Sequence, residues 1–90
     1  MKISILLPYK ENFSPTYPGA VSLFINDTST LSKYKKNIIV FGSTEYKNKF
    51  KIKYTNITLN KNLIISQSKS YVDMFIKYEK KTPSNLIEIH

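Results

Sequence analysis

Few side chains in this 90-residue sequence are equipped for chemistry, and their types narrow the options at once. There is no cysteine, which removes a disulfide scaffold, a thiolate metal site and a cysteine nucleophile. The single histidine is His90, so a histidine-based metal site and an internal catalytic triad are also set aside. His90 can still hydrogen-bond to a bound sugar or phosphate, or exchange a proton with it. Glu11, Glu45 and Glu88 are scattered along the chain and offer no carboxylate pair. Glu11 shares a stretch with Tyr9 and Tyr17, whose rings either pack locally or stack on a sugar or base. Gly19-Ala20 closes that stretch and opens a helical pattern. Backbone N–H groups at a helix start attract phosphate, and a glycine lets a ligand approach the backbone closely; it serves equally as a plain turn into the helix. No G-x-G-x-x-G and no G-x-x-x-x-G-K-[ST] is present, so the sequence carries neither a dinucleotide fingerprint nor a P-loop, and no cofactor is implied.

These residues must be positioned by regular elements, and the hydrophobic pattern supplies them. Residues 3–7 form a short run that is apolar on both faces and is stopped by Pro8, which suits a buried parallel strand. Residues 8–19 hold Pro8, Pro15, Pro18 and Gly19 and read as a long loop, of a length that usually has a function. A helix follows, with Val21, Phe24, Ile25 and Leu31 as its apolar face and Lys33, Lys35 and Lys36 near its C-terminal end. Residues 38–41 form a second buried strand, stopped by Gly42-Ser43-Thr44. Residues 46–53 are lysine-rich and read as solvated, and 54–59 alternate as an edge strand. Residues 66–81 read as a helix with a stripe of Tyr71, Val72, Phe75, Ile76 and Tyr78. Its outer face carries Lys69, Asp73, Lys77, Glu79 and Lys80. Residues 86–89 are a fourth strand ending at His90. The expected fold is α/β, a Rossmann-like open parallel sheet with helices on both faces. Ligands in such sheets sit beyond the carboxyl ends of the strands, where strand order reverses. If the first and fourth strands are neighbours, Gly19 and His90 face one crevice.

The formal net charge of +8 invites a nucleic-acid reading, but all 14 basic residues are lysines. Without arginine there is no bidentate fork for phosphates or guanine edges, so no specific nucleic-acid partner is expected. A lysine-rich surface is compatible with peripheral contact with acidic membranes. The first apolar run is too short for a signal peptide or a membrane span, and the chain reads as soluble and cytoplasmic.

Four segments together resemble a known family: Lys2-Ile3-Ser4-Ile5-Leu6-Leu7-Pro8-Tyr9, Pro18-Gly19-Ala20-Val21-Ser22, Ile38-Ile39-Val40-Phe41-Gly42-Ser43 and Leu86-Ile87-Glu88-Ile89-His90. They look like the N-terminal, acceptor-side domain of GT-B glycosyltransferases in the family-4-like branch. The resemblance spans nearly the whole chain, through loose motifs. It implies half of a GT-B architecture and a retaining transfer of a sugar from a nucleotide-sugar donor to a glycan or lipid-linked acceptor. It places Gly19 and Ala20 near the donor phosphates and His90 as the polar, catalytic residue after the fourth strand. Glu11 and Tyr17, in the loop at the ligand end, are the accompanying substrate-binding residues. Where the family often has paired glycines, this sequence has Gly19-Ala20. Residues 1–90 are then expected to be a partial domain, inactive alone, without the C-terminal nucleotide-sugar domain. The alternative is a stand-alone flavodoxin-like module that binds a small molecule or nucleotide. For that reading Ser14-Pro15-Thr16 is a poor phosphate-cradling run.

Overall fold

The computed structural model describes residues 1–59 and 67–90. They form a four-stranded, all-parallel sheet in the order β3-β2-β1-β4, with β1 Ile3–Leu6, β2 Ile38–Gly42, β3 Tyr54–Asn56 and β4 Leu86–Ile89. Helix α1, Ala20–Leu31, joins β1 to β2, and helix α2, Gln67–Lys81, precedes β4. The register pairs Ile3 with both Ile38 and Leu86, and Leu6 with both Phe41 and Ile89. This is an open α/β sheet of the Rossmann-like kind, and it sets β1 and β4 side by side, an arrangement the sequence pattern had left open. The expected first residue of α2, Ser66, lies outside the described residues.

Side chains on a strand alternate between faces, so each strand contributes to two cores. Ile3, Ile5 and Leu7 join Ile38, Val40 and α1's Ile25 on one face. Leu6 and Phe41 meet Tyr71 and Phe75 of α2 on the other. The link from β2 to β3, residues 43–53, contains no helix, yet it does a helix's work on the α1 face. Ile52 is buried and Phe50 packs beside it, the Phe50 ring edge-on to Phe13 at 5.0 Å. The stretch expected to be solvated therefore supplies core residues, because a parallel strand pair needs its crossover covered.

Three further expectations are corrected by packing. On α1 the buried residues are Ser22, Ile25 and Ser29, while Phe24 and Leu31 are 58% and 87% exposed. At about 100° per residue, Phe24 and Leu31 sit roughly 100° and 120° around the axis from Ile25, and the small serines let the helix approach the sheet. The helix ends at Leu31, with the Ser32 N–H donating to the Ser29 carbonyl. Lys33, Lys35 and Lys36 thus lie beyond its last turn, the latter two in a 3-10 turn before β2. On α2, Glu79 does not face solvent. It lies four residues after Phe75, on the same face, and its carboxylate accepts from Ser4 Oγ at 2.6 Å, Ser84 Oγ at 2.8 Å and the Ser84 N–H at 2.9 Å. These bonds, with Lys2 at 3.9 Å, hold its pKa below the ordinary value of 4.5 against the opposing effect of burial.

The two outer strands differ. β3 presents Tyr54, Thr55 and Asn56, a polar edge. β4 is exposed along its whole length, although Leu86, Ile87 and Ile89 put apolar side chains on both of its faces. No helix among the described residues is long and apolar enough to cross a membrane.

Candidate functional site

The carboxyl ends of the strands form one edge, and the loop of residues 8–19 lies across it. This loop has no regular structure but is tightly anchored. Phe13 is fully buried, its N–H donates to Thr44 Oγ1 at 2.9 Å, and its ring stacks on Tyr54 at 5.5 Å. Asn48 Nδ2 donates to Thr16 Oγ1 at 2.9 Å, which ties the loop's second half to the β2–β3 link. Residues 8–11 make a turn in which the Glu11 N–H donates to the Pro8 carbonyl at 3.1 Å. Lys10 takes φ 68° there, a left-handed conformation that favours glycine and costs a lysine about 1 kcal/mol. The Lys10 N–H donates to Ser43 Oγ at 2.7 Å, so the strained turn is clamped to the end of β2.

The structure brings Glu11, Gly19 and Ala20 together. The Glu11 carboxylate sits at the start of α1 and accepts from the Ser22 N–H at 3.1 Å. It lies so close to Gly19 that a Cβ there would be 1.8 Å from Oε1. Gly19 caps the helix with no side-chain bond of its own, and Ala20 is the first helical residue. The absent Cβ thus serves a carboxylate from the chain itself. Ser22 Oγ, on the same turn, is the one buried side-chain oxygen or nitrogen without a partner among the described residues. Tyr17 stands apart, 80% exposed, with φ 48° and its ring 6.1 Å from that of Tyr46. His90 ends β4, its N–H donating to the Leu6 carbonyl at 3.1 Å and its Nε2 lying 3.3 Å from Glu88 Oε1. Both α1's start and His90 are at the carboxyl edge, but no described contact joins His90 to Glu11 or Gly19.

A cleft of about 420 Å3 opens at the same edge, on the β2–β3 side. Tyr9 and Lys10 form one lip, Ser43, Thr44 and Glu45 the floor after β2, and Asn56 to Leu59 the wall after β3, with Gln67 of α2 closing it. The floor is fixed by a bonded group: the Thr44 N–H donates to Asn56 Oδ1 at 2.8 Å, and the Tyr54 hydroxyl lies 2.7 Å from Thr44 Oγ1. Burial raises the pKa of Tyr54, so its phenol stays protonated. Tyr9 is held by its hydroxyl donating to Gln67 Oε1 at 2.5 Å and by the Tyr71 ring 5.4 Å away. Tyr71 in turn donates from its hydroxyl to the Leu7 carbonyl at 2.6 Å.

Sequence reasoning placed residues 8–19, with Tyr9 and Lys10, and residues 42–44, with Ser43 and Thr44, at the ligand-bearing ends of the strands, but named neither Asn56 nor Gln67. Ser43-Thr44 after an apolar strand was a visible signal; Lys10's left-handed backbone and the bonds from Asn56 were not. No group of three or more His, Asp or Glu side chains able to hold a metal is found among the described residues. Comparisons with models of protein families, with curated proteins and with solved structures find no match.

Proposed function

We propose that this chain is the N-terminal, acceptor-side Rossmann-like unit of a GT-B glycosyltransferase, the whole enzyme moving a sugar from a nucleotide donor to a glycan or lipid-linked acceptor. The observation that carries the reading is the strand order β3-β2-β1-β4, whose reversal lies between β1 and β4. Ligands of open parallel sheets gather at that point, and both Gly19-Ala20 and His90 are on that edge. β4 adds support, since an outer strand with apolar residues on both faces has the pattern of an interior strand. In this reading a second domain holds most of the nucleotide sugar, and His90 meets the transferred sugar. Donor phosphates reach Gly19 only when the Glu11 carboxylate leaves the start of α1.

Titrating the 15N-labelled chain with UDP and GDP tests this. Weak shifts at the amides of residues 19–22 are expected, at least several-fold stronger binding in Glu11→Ala, and no turnover of labelled nucleotide sugars. Turnover or tight donor binding by these 90 residues, or no response at residues 19–22 in either form, overturns it.

A further inference from the structure

We propose that the cleft between the residue 8–11 turn, the end of β2 and the start of α2 binds a single sugar unit that carries an anionic group. The proposal rests on the transferase reading only for the choice of a sugar; the cleft's chemistry stands on its own geometry.

The volume of about 420 Å3 falls within the range of roughly 300–1,000 Å3 common for small-molecule sites. Its lining mixes an aromatic ring, Tyr9, with hydroxyls, amides, one carboxylate and one cation. Among the described residues, the amide nitrogens of Asn56 and Gln67 have no protein acceptor, while their oxygens are already occupied by Thr44, Tyr54 and Tyr9. Those oxygens fix the orientation of both amides and leave their N–H groups without an acceptor among the described residues. The Glu45 backbone N–H donates to Asn12 Oδ1, and its carboxylate forms no ion pair or hydrogen bond among the described residues. Such donors beside such a carboxylate suit ligand hydroxyls, which both accept and donate. Lys10 adds the selective element. Its ammonium lies 5.6 Å from the centre of the Tyr9 ring and forms no ion pair among the described residues. An unpaired cation at the lip of a polar cleft favours a ligand with a carboxylate or phosphate. The left-handed backbone at Lys10 puts that cation there at a cost in strain, and such strain gathers where a site is held in shape.

The test is 15N titration of the full chain with glucose, glucuronate, glucose 6-phosphate and inorganic phosphate, repeated with Lys10→Met and Glu45→Gln. Glucuronate or the sugar phosphate is expected to shift residues 9, 10, 43, 44, 56 and 67, and to bind at least fivefold tighter than glucose. Lys10→Met should abolish that preference, bringing glucuronate and the sugar phosphate down to the affinity of glucose, and Glu45→Gln should weaken glucose, which loses a charged acceptor for its hydroxyls. Unaltered spectra elsewhere show that each variant folds. Equal binding of glucose and glucuronate overturns the anionic requirement and leaves the transferase reading standing. Inorganic phosphate matching the sugar phosphate reduces the cleft to an anion seat and overturns the sugar. Absence of cleft shifts with every probe overturns the proposal, while the UDP response at residues 19–22 judges the transferase reading separately.

Discussion

Replacing Gly19 with alanine sets the cap of α1 against its own glycine. The added Cβ would lie 1.8 Å from Glu11 Oε1, 2.2 Å from Cδ and 2.4 Å from Oε2, so the whole carboxyl group must leave. Gly19 itself has φ −74° and ψ 163°, a conformation alanine adopts freely, so no backbone strain enters. The cost is therefore the lost bond from the Ser22 N–H and the lost attraction of the helix start for a carboxylate, together about 1 kcal/mol. Glu11→Ala removes the same interaction without a clash and should cost about the same. The double variant should then lose no more than either single one, a coupling of about 1 kcal/mol where independent sites would add. Urea unfolding followed by circular dichroism reads this directly. With a slope of about 1 kcal/mol/M for a chain of this size, each single variant shifts the midpoint by about 1 M. Costs that add to within about 0.5 kcal/mol, or a Gly19→Ala variant as stable as wild type beside a weakened Glu11→Ala, would refute the contact.

Glu79 makes stability depend on acid. Its folded pKa lies below the ordinary 4.5, so between the two values the unfolded chain holds more protons and stability rises with pH. Unfolding free energy should therefore fall as pH drops through that window, and Glu79→Gln should flatten the fall in acid urea titrations. Tyr71→Phe keeps the ring but strips the Leu7 carbonyl of its donor, and should cost about 1–3 kcal/mol. Thermal unfolding should then drop by several degrees at about 4–8 °C per kcal/mol; an unchanged midpoint would mean the bond contributes nothing. Ile89→Lys, at a position 68% exposed on the outer strand β4, should change stability by no more than about 0.5 kcal/mol. In sedimentation velocity the wild-type chain is expected to self-associate at high concentration through β4, and Ile89→Lys should remove that association; a wild-type chain that stays monomeric would refute a receptive edge.

Strand identity and direction were legible in the sequence because runs such as Ile38-Ile39-Val40-Phe41 have a single physical use, a strand covered on both faces. Helix faces were less legible. On α1 hydrophobicity points to Phe24 and Leu31, but the sheet selects Ser22, Ile25 and Ser29 for close approach, which no hydropathy pattern records. Glu79 looked like an outer charge because its partners, Ser4 and Ser84, meet it only through the strand order. Of the site, Glu11 and Gly19 were named from the loop and the helix start, yet their mutual contact depends on how that loop folds back. Of the cleft beside β2, the strand-end segments 8–19 and 42–44 were legible, but Asn56 and Tyr54 are unremarkable until parallel pairing sets Gly42 opposite Asn56.

The unlike rims of the sheet have a consequence for assembly. Tyr54, Thr55 and Asn56 terminate one rim, whereas Leu86, Ile87 and Ile89 leave the other receptive. Apolar burial favours docking at the second rim over the first. Two copies meeting there would each turn the polar rim of β3 outward. Any strand that does dock there lies directly beside the histidine and the reversal of strand order, so the same addition would build a wall for the ligand crevice.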